Sequence, residues 1–449
     1  MKLKNLTVAM LLSTLPTAGA FAAAMDRSGQ SMSAFLQPGN YFEAGISALA
    51  PDVTGQESIG KKGNIGNMAE DYYFPAAALK LQVTDQFSFG LLYDQPFGAK
   101  AAYDGNNIFV ASPNDPVLGD KLAITSGQLQ TMGKGEQITG GTQVEVDTQN
   151  ISMIFGYQPT ENWNIYGGGV YQTVKGNVSL RGSAYSLYNG YDANIKETGG
   201  AGWLAGAAFQ IPDIALKASV TYRSEVDHKV DIRESVAMLD TLSRIDQGGA
   251  LKPTLDSLGA GAFYPVVQGA IAANSQNGKT TITTPQSVNI DLQSGIMADT
   301  VAFANIRWVN WKDFSIQPYK FGKVSEAIGG IVARPDGFNL VEYSKDQWNV
   351  TAGVGRKLSE KWAGNVSVGW DSGAGNPVTT LGPTEGFWNL GVGMQFSPTP
   401  QTFIAGGVKY FWLGDAKAQT GAQAGSDVSV ADFKDNNAIA YGLKLGYRF

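Results

Sequence analysis

Counting back from the end of the chain, Tyr447, Leu445, Leu443, Tyr441 and Ile439 are large and apolar, while Arg448, Gly446, Lys444, Gly442 and Ala440 between them are small or charged. Strict alternation of this kind is the period of a strand with two different faces. The pattern recurs. Phe87, Phe89, Leu91 and Tyr93 oppose Ser88, Gly90 and Asp94; Ile214, Leu216, Ala218, Val220 and Tyr222 oppose Lys217, Ser219, Thr221, Arg223 and Glu225. Trp362, Val366, Val368 and Trp370 oppose Asn365, Ser367 and Asp371; Trp388, Leu390, Val392, Met394 and Phe396 oppose Asn389, Gly391, Gly393 and Gln395. The polar face of a water-soluble sandwich would be rich in charge. Here it is mostly Gly, Ser, Asn and Gln, which suits the inside of a barrel whose outside meets lipid.

The connections alternate in length. Short turns fall at 84–86, 159–162, 212–213, 357–361 and 397–401, and long polar or Gly-rich segments near 50–70, 98–142, 177–198, 229–284, 314–343, 371–385 and 414–436. Short turns on one side and long loops on the other are the plan of an outer-membrane barrel. The predicted strands are 40–49, 71–83, 87–96, 143–157, 163–176, 199–211, 214–228, 286–296, 300–312, 344–356, 362–371, 385–396, 402–413 and 437–449. The fold expected is therefore all-β, a 14-stranded antiparallel transmembrane β-barrel with both ends on the periplasmic side. Tyr72, Tyr73, Trp163, Trp308, Trp311, Trp348, Trp362, Trp370, Trp388, Tyr410 and Trp412 fall at strand ends and are expected to form interfacial girdles.

Composition agrees and narrows the function. Of 449 residues, 56 are Gly and only 16% are charged, against roughly 25% in an ordinary soluble domain. The absence of cysteine removes disulfides, thiol nucleophiles and thiolate-held metals. The single histidine, His228, reads as an exposed loop residue, and no Gly-x-Ser-x-Gly elbow is present, so the chain is expected to be no enzyme and to need no metal or cofactor. A net charge of −6 argues against a nucleic-acid partner. Lys2 and Lys4, an apolar run from Leu6 to Phe21 and the small residues Ala22 to Ala24 read as a signal peptide over 1–24. Residues 25–39 then precede the barrel proper, 40–449.

Several runs resemble one family, the FadL-type outer-membrane transporters of long-chain fatty acids and other hydrophobic molecules. Trp203-Leu204-Ala205-Gly206 leading to Thr221-Tyr222-Arg223-Ser224-Glu225-Val226 is similar to that family's sixth and seventh strands. Tyr93-Asp94-Gln95-Pro96-Phe97-Gly98-Ala99 resembles its third strand and Trp308-Val309-Asn310-Trp311 its ninth; Trp370-Asp371-Ser372, Pro377-Val378, Phe387-Trp388 and Gly391 follow the order of its twelfth-strand region. The resemblance spans the mature chain. It implies passive uptake through a barrel plugged by its N-terminal segment, the hatch, with release sideways into the membrane beside a kinked third strand. The cargo implied is a long-chain fatty acid; an aromatic-hydrocarbon channel of the same family, or a general diffusion porin, are the alternatives.

The same resemblance assigns candidate residues. The hatch would be 25–39, including Arg27 and Phe35; it is shorter than the family's usual one and lacks its Asn-Pro-Ala signature. Pro96 and Gly98 are candidates for the kink, since proline cannot donate to a strand ladder. Lys175, Arg181, Arg223, Arg307 and Lys345 are candidate partners for a bound carboxylate, with Arg223 and Glu225 placed to neutralise each other. In the 229–284 loop, Leu239 and Phe263 lie on short helical patterns that could line an outer capture groove. The partners implied are the hydrophobic cargo, outer-membrane lipid and lipopolysaccharide of a Gram-negative bacterium, and the barrel-assembly machinery, addressed through Phe449.

Overall fold

The computed structural model describes residues 25–116, 125–132, 137–257 and 259–449; the predicted signal peptide lies outside them. The strands are β1 (Tyr41–Asp52), β2 (Tyr72–Gln82), β3 (Phe87–Asp94, resuming as Gly98–Ala102), β4 (Gln143–Thr160), β5 (Trp163–Leu180), β6 (Tyr191–Ile211) and β7 (Leu216–Arg223). They continue as β8 (Ser287–Met297), β9 (Thr300–Val309), β10 (Gln347–Lys357), β11 (Trp362–Asp371), β12 (Phe387–Phe396), β13 (Thr402–Leu413) and β14 (Asn437–Arg448). Each pairs antiparallel with its neighbour in the chain, and β14 returns to β1 from Tyr41↔Arg448 to Asp52↔Asn437. The barrel is closed, with fourteen strands. Except along part of the boundary between β2 and β3, closure pairs the strand edges around the ring, as lipid demands, since an unsatisfied backbone group in lipid is costly.

The alternation read from the sequence sets the two faces. Leu443, Leu445 and Tyr447 point outward, as do Trp203, Trp388 and Trp412, whereas Lys444 of β14 is buried within. Trp311 departs from the expected girdle: it is fully buried against Phe97, at 5.6 Å between ring centroids, and Phe314, at 5.0 Å. It follows the end of β9, where the chain turns over the barrel mouth rather than along the lipid face. Among the described residues no helix is long and apolar enough to cross a membrane.

Two stretches differ from the predicted strands. First, β4, β5 and β6 run 18, 18 and 21 residues, well beyond the ~9–11 needed to cross a bilayer, so one side of the wall rises past the hydrocarbon. Second, the seventh strand stops at Arg223. Val226–Val230 leaves the wall and pairs with Thr280–Thr284, while Ile232–Val236 pairs with the upper part of β6. His228 is consequently not an exposed loop residue. It is fully buried, its Nε2 3.1 Å from Gln172 Oε1 on β5.

The outer mouth is capped. Helices Ala237–Gln247, Tyr264–Asn274 and Tyr319–Ile328 form within the 229–284 and 314–343 loops, and Tyr188 stacks on Phe321 at 4.3 Å. A small sheet of Gly55–Glu57, Asn64–Ile65, Val378–Thr379, Ala416–Gln419 and Ala431–Phe433 joins loops from both ends of the chain. One apolar cluster runs from this cap down into the barrel mouth.

Candidate functional site

Inside the barrel, the segment from Met25 to Gly39 is held by the wall. Phe35 is fully buried, edge-on to Tyr166 at 5.6 Å. It occupies slots that only glycine leaves: a Cβ on Gly90 would collide with the Phe35 ring, and one on Gly156 would come within 2.9 Å of it. Met32 and Leu36 complete this apolar contact with Leu92, Ile154, Val170 and Leu204. Polar contacts hold the preceding residues. Asp26 accepts from Arg307 Nε at 2.6 Å, both side chains being buried, and Arg307 also donates to Asn289 Oδ1 at 2.7 Å and Gln30 Oε1 at 3.1 Å. Asn289 donates to Gly29 O at 2.7 Å, Ser28 to Asp94 at 2.5 Å, and Arg223 to Ser152 Oγ at 3.1 Å and Gln30 O at 3.4 Å.

The third strand breaks where the proline predicts. Asp94 pairs with Asn150 and Gly98 with Asp147, so Gln95, Pro96 and Phe97 span only Thr148 and Gln149 of β4. This extra residue is a bulge. Thr148 keeps the bulge on β4, its Oγ1 accepting from Phe97 N at 2.9 Å. On the other side β3 parts from β2. The ladder ends at Ala77↔Tyr93, and contact returns at Tyr72, whose Oη accepts from Lys100 N at 2.7 Å and donates to Lys100 O at 3.0 Å, and at the Ala69↔Ala101 bridge. Between Tyr93 and Lys100 the seam has no β2–β3 ladder among the described residues, and Phe97 bridges Asp26 of the N-terminal segment instead.

Residues 25–27 sit in that seam. Arg27 N donates to Pro96 O at 2.6 Å, and Gly98 N donates to Met25 O at 2.8 Å. The Arg27 guanidinium fills the space where a Gly98 Cβ would stand, lies 4.2 Å over the Tyr72 ring and reaches Asp147 Oδ1 at 3.3 Å. Arg27 and Gly98, predicted separately, are thus one contact. Gly98 is glycine because the arginine needs its room.

The lumenal segment leans on β3 to β6 and leaves a cavity beside it. The cavity has about 1720 Å³ of empty volume, part of it open to solvent. Its lining combines Leu36, Phe74, Leu92 and Phe303 with Lys217, Asp291, Lys409 and Lys444. It also includes Pro75, Ala77 and Tyr93, which alternate with inward-facing neighbours, and Gln95 of the break. The cavity therefore reaches the unpaired seam.

Most of the predicted carboxylate partners lie elsewhere. Lys175 is on the outer face of β5, opposite Asp147. Arg181 is buried at the top of the β5–β6 hairpin, gripping both Asp192 oxygens at 2.9 Å and the Leu180 and Tyr191 carbonyls. Lys345 is exposed in the loop before β10. Arg223 and Arg307 do face the lumen, but both hold the N-terminal segment, and Glu225 is exposed rather than paired with Arg223. Leu239 is fully buried in its helix, and Phe263 is half exposed on the adjoining turn. They do not share one groove lining, since Leu239 is spent on packing. The cavity lysines were legible only as inward positions of alternating strands; nothing in the sequence ranked them above other lumenal residues.

The loop between β11 and β12 carries a titrating group. Glu385 accepts from Gly375 N at 3.2 Å, and burial, reinforced by the Asp371 charge, pushes its carboxyl from 4.5 up to about 7. A raised carboxyl favours the folded loop while protonated. Loop stability should be full below about pH 4.5, decline as pH rises to about 7 and stay low above it. Hydrogen exchange of amides 373–386, corrected for intrinsic rates, should show this decline, and Glu385→Gln should flatten it. An identical slope in the variant would disprove the assignment.

Comparisons with known proteins agree with this architecture. No curated protein matches the sequence. A solved structure of a Pseudomonas aeruginosa FadL homologue superposes with a TM-score of 0.60 at 13% identity, covering 98% of this chain and 99% of that one. The Pseudomonas putida toluene transporter TodX gives 0.56 at 10% identity over 93% and 91%, and the Ralstonia pickettii toluene transporter TbuX 0.52 at 10% over 98% and 99%. At such identities these likenesses show the fold. The family is shown by sequence: the profile of "Outer membrane protein transport protein (OMPP1/FadL/TodX)" matches residues 130–449, more than half the chain. The closed fourteen-strand barrel with its lumenal cavity and broken third strand belongs to a member of this family of outer-membrane transport proteins.

Proposed function

We propose that this protein takes up hydrophobic molecules across the outer membrane, long-chain fatty acids first among them, by passive passage. In this reading residues 25–39 plug the lumen, and cargo leaves sideways between β2 and β3 into the membrane. The observation that carries it is the unpaired seam beside Pro96, which the lumenal cavity reaches. A hydrophobic molecule gains nothing from a water-filled pore, whereas an apolar exit into lipid releases it downhill. The outer mouth, capped by loops and filled by an apolar cluster rich in aromatic side chains, argues against a general diffusion porin. Lipopolysaccharide would surround the exposed outer face, and the terminal Phe449, which is exposed, would serve recognition by the assembly machinery.

Two of the similar structures are toluene transporters, so an arene is the competing cargo. Uptake of radiolabelled oleate in cells lacking the gene should fall and be restored by the gene, and excess alkylbenzene should compete weakly. Undiminished oleate uptake in the knockout would defeat the fatty-acid reading; competition by alkylbenzene at equal concentration would favour the arene.

A further inference from the structure

On the tall side of the barrel, the outward face changes character partway up. The apolar band ends on one row of the ladder, Ile151↔Tyr171 across β4 and β5 and Tyr171↔Ala201 across β5 and β6. Gln149↔Thr173 follows, and the outward rows above it are polar or charged. Still higher stand Asn177↔Asn194 and, one strand further on, Asn194↔Arg233. At about 3.3 Å per residue and a tilt near 40°, that row lies roughly 15 Å above Tyr171, past the hydrocarbon.

The same row holds a recess on the outside of the wall, of about 510 Å³ and open to solvent. Its outward side chains are those of Asn177, Ser179, Asp192, Asn194, Arg233 and Ser235. They are only partly spent on one another. Asn194 Nδ2 donates to Asn177 Oδ1 at 2.6 Å, which leaves the Asn177 amide donor and the Asn194 amide acceptor without partners among the described residues. Exchanging O and N in both amides leaves the same pair, one donor beside one acceptor. Two neighbouring hydroxyls of a sugar match such a pair.

Arg233 is exposed, and its guanidinium makes no hydrogen bond or ion pair among the described residues. The nearby acids are engaged or lie lower. Asp192 accepts from Arg181 at 2.9 Å and from Ser179 at 2.6 Å. Glu234 turns into the cap, accepting from Tyr191 at 3.0 Å and from Phe321 N at 2.8 Å. Glu197 and Asp231 are exposed on the row below, beside Lys196. A guanidinium of this kind is suited to a phosphate, which it can grip with two parallel hydrogen bonds. At this height an outer-membrane barrel is surrounded by the sugars of lipopolysaccharide, whose inner core carries phosphates.

We propose that this recess binds a phosphorylated sugar of the lipopolysaccharide inner core, Arg233 taking the phosphate and the Asn177–Asn194 pair the hydroxyls. The tall wall of β4 to β6 thereby anchors one side of the barrel in the sugar layer of the outer leaflet. This role rests on the outer-membrane location and is independent of what the lumen carries.

The test uses the intact protein, freed of lipid in detergent, with a chelator present so that no divalent cation bridges the partners. Native mass spectrometry gives dissociation constants for rough lipopolysaccharide, for the same molecule stripped of its phosphates, and for lipid A, which keeps its own phosphates but has no core. Rough lipopolysaccharide should bind about tenfold more tightly than either of the others. Arg233→Gln should abolish the advantage over the stripped molecule, and Arg233→Lys should retain part of it. Asn177→Ala combined with Asn194→Ala should weaken rough lipopolysaccharide and leave lipid A unchanged. Lys361→Gln, which removes an exposed cation from a periplasmic turn, should alter none of the constants. All these side chains are exposed, and heat-modified gel mobility checks that each variant is folded. Equal binding of lipid A and rough lipopolysaccharide would overturn the proposal, placing the contact at phosphates next to the hydrocarbon. So would a phosphate advantage that survives Arg233→Gln, or one that Lys361→Gln removes equally, the mark of general charge attraction.

Discussion

Asp26→Ala is expected to free the N-terminal segment from the barrel wall while leaving the barrel folded. The carboxylate is buried with Arg307 at 2.6 Å, and its removal leaves a guanidinium that is 3% exposed and, among the described residues, hydrogen-bonded to the neutral Asn289, Ser287 and Gln30 alone. Stranding one member of a buried pair typically costs about 3–5 kcal/mol. The penalty falls on the docked state alone, because an undocked segment lets water reach Arg307. Arg27 supplies the readout. In the docked state it is buried in the seam, out of reach of trypsin. A docking loss of about 3 kcal/mol should speed cleavage after Arg27 by more than about 100-fold at low protease. Arg307→Met added to Asp26→Ala removes the stranded charge and should recover most of the protection. Unchanged cleavage in Asp26→Ala would show that the ion pair does not hold the segment. Fourteen strands paired in a closed ring should keep the melting of the barrel itself nearly constant.

These contacts explain which parts of the molecule could be read in advance. Strand number and facing were legible because alternation is local: Leu443 and Lys444 declare opposite faces from their own neighbours. The break in β3 was legible because Pro96 carries its reason within itself, a missing N–H. The duties of Arg223 and Arg307 were not. As lumenal cations they suit a bound acid, and only the barrel's closure shows that Gln30 and Asp26, from the far end of the chain, reach them first. Gly90 and Gly156 hid in a glycine-rich composition although they alone make room for Phe35. His228 misled for a related reason. Its strand continues the alternation of β7 smoothly, and nothing local marks the point at Arg223 where the chain quits the wall for another partner. Lys217 and Lys80, which donate to the Leu36 and Gln37 carbonyls, were ordinary inward positions until the segment they hold was in place.

The seam itself can be closed chemically. Pro75 and Gln95 are the positions two residues beyond Ala77↔Tyr93, the last pair of the β2–β3 ladder, and both line the lumenal cavity. In Pro75→Cys/Gln95→Cys a disulfide would require the two Cα atoms to stand about 4.4–6.8 Å apart, the spacing of paired strands. Oxidation should therefore extend the ladder across the lower part of the seam. If cargo leaves there, uptake should fall to the level of cells lacking the protein, and a reductant should restore it, with no change in ligand binding. A pair placed at Ala44→Cys/Ala77→Cys, where β1 and β2 are already in register, adds a bridge without closing anything and should transport normally. Two changes at once separate exit from capture. Ligand that still binds but no longer crosses must be retained upstream of the seam, whereas undiminished transport through an oxidised seam would place the exit somewhere else in the barrel.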